Sequence, residues 1–254
     1  MADGGVCVTG STQGIGYAIA EAFARGGARL VINSHEPDHS GATGRLSRLT
    51  ECHFVQADLS ARSGTQQLID GAKLRLGRIN TLVCNAGTFR DADFASLSEE
   101  AVDQTFDLNV KGYLYCAQAF AACLEPGQEG SSIVCVGSTN SRAAEKDSVA
   151  YDASKGAVLM LVRSLAVSLA DKGIRVNGVG PGIVETPLTE DGLNKGDTRK
   201  GLVAQIPLGR IGMPDDVGDA VVFLASPQAR YITGQMLYID GGILANQMTW
   251  DLHS

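Results

Sequence analysis

Short runs of β-branched and other apolar residues, bounded by turn residues, alternate along the chain with longer stretches whose apolar positions recur at helical spacing. This is the rhythm of β-α-β units. Seven runs are predicted as strands, at residues 6–9, 29–32, 53–56, 81–85, 132–136, 175–179 and 236–239. They are apolar on both faces rather than alternating, as expected for a parallel sheet covered by helices on each side. Between the first two, Ile15, Ala18, Ile19, Ala22 and Phe23 fall at i, i+3, i+4, i+7 and i+8, which predicts a helix with one face on the sheet, stopped by Gly26-Gly27. The expected fold class is α/β, a doubly wound sheet. No internal repeat, low-complexity segment or linker divides the chain, so 1–254 is read as a single domain. Two stretches break the rhythm. Residues 34–50 contain Pro37, Gly41 and Gly44 and leave room only for a short helix around 45–49. Residues 185–200 are polar, with Pro187, Gly192 and Gly196, and read as a mobile loop near a ligand, since α/β sheets bind ligands beyond the carboxyl ends of their strands.

Composition narrows the function classes. The 254 residues are 44% hydrophobic, enough for a packed core, and 21 Lys and Arg against 28 Asp and Glu leave a net charge of −7 with no block of like charge. Nucleic acid is excluded as an expected partner, because phosphate backbones are held by clustered positive charge. The longest apolar run, 156–162, is stopped by Arg163, far short of the ~20 residues that span a bilayer, so no membrane association is expected. No basic and apolar leader pattern precedes the first strand, and a cytoplasmic location is expected. The six cysteines form no C-x-x-C pair and read as small hydrophobes, while His35, His39, His53 and His253 lack metal-ligand spacing, so no metal site is expected.

Two motifs carry chemistry. The first strand runs into Thr9-Gly10-Ser11-Thr12-Gln13-Gly14-Ile15-Gly16, a glycine-rich turn opening the first helix. Such a turn lets the backbone approach a pyrophosphate, which then sits on the positive end of the helix. Further on, Tyr151 and Lys155 are four apart at the start of a helical run, so the phenol and the ammonium project from one face. A cation there is expected to lower the phenol pKa and make Tyr151 a usable proton donor and acceptor. Ser138 follows the apolar strand 132–136 and Gly137, at the carboxyl end where ligands bind.

With these in place the chain resembles the classical short-chain dehydrogenase/reductase family over nearly all its length. The matches occur in family order: Thr9-Gly10 through Gly14 and Gly16, Asp58-Leu59, Asn85-Ala86-Gly87, Asn109, Ser138, Tyr151 with Lys155, Pro181-Gly182 with Thr186, and Asp240-Gly241-Gly242. The resemblance implies a Rossmann-type sheet that binds NADP or NAD and a catalytic set of Asn109, Ser138, Tyr151 and Lys155. In reduction, Ser138 would hold the carbonyl oxygen and Tyr151 would protonate it. Lys155 would stabilise the phenolate and bond the nicotinamide ribose, and Asn109 would hold a water that relays the proton. The implied cofactor contacts are Gly10, Thr12, Gln13, Gly14, Ile15 and Gly16 at the pyrophosphate, Asn33, Ser34 and His35 at the adenosine ribose, and Asp58 with Leu59 at the adenine. Asn85, Ala86 and Gly87 would line the cofactor, and Pro181, Gly182, Val184 and Thr186 would border the nicotinamide.

Two positions depart from the family pattern. Cys84 stands where many members have a second asparagine, and Ile32-Asn33-Ser34-His35 offers neither the acid that selects NAD nor, with Gln13, the Arg or Lys that selects NADP. Neutral donors from Asn33 and Ser34, with His35, predict use of both cofactors and a slight lean towards NADP(H). The expected function is interconversion of a carbonyl and a secondary alcohol by hydride transfer. The polar stretch Asn140, Arg142, Glu145, Lys146 and Asp147 suits a sugar or polyol. Alternatives are reduction of a 3-oxoacyl group on acyl carrier protein, with Arg142, Arg175 and Arg210 as a docking patch, and a nucleotide sensor without turnover. Long helices near 102–124 and 149–169, and an apolar closing segment 236–245, predict a homotetramer.

Overall fold

The computed structural model describes residues 4–90, 92–125, 127–128 and 130–246. Its seven strands are β1 (Gly5–Val8), β2 (Leu30–Ser34), β3 (Cys52–Gln56), β4 (Ile79–Cys84), β5 (Ser132–Val136), β6 (Arg175–Pro181) and β7 (Met236–Ile239). All pair in parallel, in the order β3-β2-β1-β4-β5-β6-β7. Parallel neighbours require crossovers, and helices supply them: α1 (Gly14–Arg25), α2 (Ala42–Leu46), α3 (Arg62–Leu76), α4 (Glu99–Phe106), α5 (Gly112–Cys123), α6 (Val149–Ser168), α7 (Glu190–Leu193), α8 (Thr198–Val203) and α9 (Pro214–Ala225).

Because side chains alternate across a strand, the sheet feeds two cores. In β1, Val6 and Val8 join Ile19 and Phe23 of α1 and Val217 and Val221 of α9. Cys7 points the other way, to Leu68 and Ile69 of α3, Phe120 of α5 and Val158 of α6. This both-sided burial is why the strands read as continuous apolar runs. β7 at the edge is only half-buried.

Three local features differ from the expected elements. α2 starts at Ala42 because the Asp38 carboxylate accepts the N–H groups of Ala42 at 3.0 Å and Thr43 at 2.8 Å, capping the helix earlier than composition suggests. The helix expected over 102–124 is interrupted by a π-helical stretch, Asp107–Lys111, which contains Asn109. The polar stretch 185–200 holds α7 and the start of α8, tied down by Arg199, whose guanidinium donates to both Glu185 carboxylate oxygens at 2.6 and 3.1 Å. Among the described residues no helix is long and apolar enough to cross a membrane.

Candidate active site

After β1 the chain winds towards β3, then returns to the other side of β1 through β4. The carboxyl ends of β1 and β4 therefore diverge into a crevice, and a cavity of about 770 Å³ opens there. Asn85 stitches its floor: its N–H reaches Thr9 Oγ1 at 2.8 Å and its side-chain amide donates to Thr9 O at 3.0 Å and Gly10 O at 2.8 Å. Gly10, Thr12, Gln13, Gly14, Ile15 and Gly16 line one wall. Gly10 and Gly14 both have φ +57°, and a Cβ on Gly16 would fall 2.2 Å from Gly10 O, so this turn accepts no side chain at Gly16. No side chain caps α1, which leaves N–H groups of its first turn for an anion. A glycine cradle on an uncapped helix, in a long cavity, fits the pyrophosphate of a dinucleotide.

At one end the cavity is lined by Asn33, Ser34, His35, Asp58 and Leu59. Asn33 does not offer the cofactor donors expected of it. Its side chain is turned inward, and the amide protons go to Val55 O and Ala57 O, both at 3.1 Å, while Oδ1 accepts Gly10 N–H at 3.3 Å. These bonds tie the side chain to the end of β3 and to the turn after β1, so Asn33 braces the glycine turn. Ser34 Oγ accepts the Glu36 N–H, and His35 is exposed beside Glu36. Asp58 accepts the N–H and hydroxyl of Ser60, which lower its pKa.

At the other end stand Ala86, Gly87, Ser138, Tyr151, Lys155, Pro181, Gly182, Val184 and Thr186. Ser138 and Lys155 are buried, and the Phe89 ring meets the Tyr151 ring edge-on with centroids 4.9 Å apart. The expected lowering of the Tyr151 pKa is not found. Loss of solvent pushes it up to about 12, with Glu145 and Asp152 adding to the rise and a hydrogen bond with Ser138 opposing it. Lys155 does not reverse this because its Nζ donates to Val136 O at 3.1 Å and lies 5.4 Å from the Tyr151 ring centroid, and because burial lowers its own pKa to about 8.

Asn109 is brought close but does not line the cavity. Its amide donates to Thr88 O at 2.9 Å and Ser154 Oγ at 3.1 Å, and its Oδ1 accepts Thr88 N–H at 2.8 Å. Both amide protons are committed, so a water could meet Asn109 only by donating to one of its oxygens. The side chain also clamps the segment after β4 against α6. Cys84, in the place of the second asparagine, faces Cys135, its register partner on β5, and that thiol together with burial raises its pKa. Further lining residues escaped the sequence reading: Thr88, Phe89 and Arg90, directly after the Asn85-Ala86-Gly87 motif, and Gln104, Asp107 and Leu108. The last three lie on one helical face, within five residues of Asn109, a spacing that could have drawn attention to them.

Residues 10–244 match the family model described as enoyl-(acyl carrier protein) reductase. The chain is 34% identical over 253 residues to L-rhamnose 1-dehydrogenase (NAD(P)(+)) of Azotobacter vinelandii, covering 97% of this chain and 98% of that protein. The chain belongs to the short-chain dehydrogenase/reductase family. Its fold superimposes with a TM-score of 0.88 on a short-chain dehydrogenase/reductase of Brucella melitensis, described as a glucose/ribitol dehydrogenase, at 32% identity and covering 95% of this chain and 96% of that one. A blue fluorescent protein from a metagenomic library, solved in complex with NADPH, gives a TM-score of 0.86 at 30% identity, covering 94% and 97%. As a short-chain dehydrogenase/reductase, the chain is an NAD(P)-dependent oxidoreductase acting on CH–OH donors.

The three arginines considered for carrier-protein docking have other duties. Arg175 donates to the carbonyls of Leu224, Ala225 and Ser226 at the end of α9. Arg210 pairs with Asp216, and Arg142 lies over the Tyr238 ring.

Proposed function

We propose that this oxidoreductase dehydrogenates a sugar, polyol or similar small hydroxylated substrate, as one dinucleotide-binding and catalytic domain in the cytoplasm. The observation that carries the reading is the convergence of Ser138, Tyr151 and Lys155 on the wall of the cavity that also holds the glycine cradle. The relatives described as L-rhamnose and glucose/ribitol dehydrogenases support the substrate class.

When bound, the nicotinamide accepts or supplies the hydride. Gly10, Thr12, Gln13, Gly14, Ile15 and Gly16 hold the pyrophosphate, and Ser34, His35, Asp58 and Leu59 the adenosine. Ala86 and Gly87, with Pro181, Gly182, Val184 and Thr186, border the nicotinamide half. Tyr151 moves the proton at the substrate oxygen and Ser138 hydrogen-bonds that oxygen. Lys155, 5.4 Å from the Tyr151 ring centroid, supplies positive charge behind the phenol. Asn109 keeps Gly87 and Thr88 in register with α6. The subunit assembles as a homotetramer through α6 and through β7 with α9.

The test is a panel of aldoses, polyols, hydroxy acids and a 3-oxoacyl thioester with both nicotinamide cofactors. Highest kcat/KM on a sugar or polyol is expected. A thioester turned over more than about tenfold faster overturns the substrate class.

A further inference from the structure

Among the described residues, the ionisable side chains that line the cavity are His35, Asp58, Arg90, Asp107, Tyr151 and Lys155. His35 and Asp58 stand at the adenosine end. Asp107 accepts from Lys111 Nζ at 2.6 Å, and Lys155, buried, donates to Val136 O at 3.1 Å. Glu145 and Asp152 bring negative charge near Tyr151, but neither lines the cavity, and the Asp152 carboxylate accepts from Asn140 Nδ2 and the Glu145 N–H. Arg90 is exposed and forms no ion pair or hydrogen bond with the described residues. The backbone that carries it is pinned on both sides. Before it, Thr88 exchanges two hydrogen bonds with the Asn109 side chain, and the Phe89 ring meets the Tyr151 ring edge-on. After it, the Ala92 N–H donates to Asp147 O at 3.0 Å, just ahead of α6. A guanidinium without a partner therefore follows, in the chain, directly on the ring that touches the reacting phenol.

Building on the reading of a hydroxylated substrate held at Ser138 and Tyr151, we infer that Arg90 is a specificity residue that pairs with a carboxylate of the substrate. The preferred substrate is then a sugar acid: a polyhydroxy chain or ring that carries a carboxylate some bonds away from the carbon being oxidised. The five N–H groups of arginine form a planar fork that meets a carboxylate in two parallel hydrogen bonds, with charge attraction added to geometry. A neutral sugar leaves that fork to water. The other cation at this end, Lys155, is tied to Val136 O, and the glycine cradle belongs to the pyrophosphate. One fork with no second cation free beside it suits a carboxylate better than a phosphate, which gathers donors from several groups. Because Thr88 and Ala92 fix the backbone on either side, the carboxylate also sets which hydroxyl of the chain reaches Tyr151.

The test compares substrates matched in shape and different in charge: an aldonate, the aldonamide of the same chain and the corresponding alditol, each oxidised at saturating nucleotide. The aldonate is expected to exceed both neutral compounds in kcat/KM by about tenfold or more, the scale of one charge-assisted contact. Arg90→Gln and Arg90→Ala should each lower the ratio of aldonate to aldonamide by about tenfold, chiefly through the KM for aldonate. Arg90→Lys keeps the charge without the fork, so its ratio should fall between wild type and Arg90→Gln. A wild-type ratio at or below one overturns the inference, and so does a ratio that Arg90→Gln leaves unchanged, including the case in which all three substrates lose rate equally. In either event a sugar or polyol that outpaces the 3-oxoacyl thioester leaves the reading of a hydroxylated substrate standing. A thioester that outpaces aldonate, aldonamide and alditol alike overturns that reading and this inference together.

Discussion

Tyr151 and Lys155 face each other with opposite shifts, and both have one cause: the cavity wall withholds water from charge. With its pKa near 12, the Tyr151 phenol is a proton donor at neutral pH. Tyr151→Phe should keep the fold and nucleotide binding and lower kcat by about 10²–10⁴, measured at saturating cofactor. Lys155 has a folded-state pKa of about 8, below its ordinary 10.5, so its charge opposes folding fully below pH 8 and less as pH rises to 10.5. Lys155→Met should therefore abolish turnover yet raise the apo melting temperature at pH 7, with the gain shrinking at pH 10, by calorimetry. Val136 O keeps a partner in that variant, since the Tyr113 hydroxyl also donates to it at 3.1 Å. Asn33 gives the reverse case. Read as sequence, Asn33→Asp creates an NAD-selecting acid. In the fold it sets a carboxylate against Val55 O and Ala57 O, so the expected outcome is loss of stability of about 1–3 kcal/mol or more by denaturant titration, without a clean switch of cofactor.

Glycines separate the elements by what surrounds them. A methyl on Gly16 meets Gly10 O at 2.2 Å and Asn85 Nδ2 at 2.4 Å, whereas one on Gly44 in α2 meets nothing within 4 Å. Gly16→Ala should weaken nucleotide binding by more than tenfold in a fluorescence titration, because the first turn of α1 must shift. Gly44→Ala should instead stabilise the protein by about 0.5–1 kcal/mol, the ordinary gain of alanine over glycine within a helix. The π-helical stretch at Asp107–Lys111 is the element that sequence conceals most fully. Its apolar spacing continues that of α4 and α5, yet the wider turn holds Asn109 where it can bond Thr88 and Ser154, residues 21 and 45 positions away. Helical periodicity reports which face is buried. It is silent on one extra residue in a turn.

On the scale of the whole molecule, the exposed large apolar side chains include Met160 and Val167 on α6, and Phe223 on α9 with Leu237 on β7. Burial of such groups between subunits suits dihedral assembly, and light scattering should give four times the 26.5 kDa chain mass. Val167→Asp should reduce the mass to that of a dimer; an unchanged tetramer would show that α6 is not at an interface. The strand runs, apolar on both faces, by themselves determined a parallel sheet with helices on each side, because burial on two faces leaves no alternation to read. The glycine turn and the four-residue step from Tyr151 to Lys155 were equally legible, since both are local in the chain and set by backbone geometry. Only the tertiary structure decided that Asn33 faces Val55 and Ala57, that Asn109 spends its protons on Thr88 and Ser154, and that the Tyr151 phenol is raised rather than lowered. Each of these depends on which distant carbonyl or hydroxyl lies within 3 Å or so, and on how much water is excluded. Packing sets both quantities, and residue spacing does not encode them.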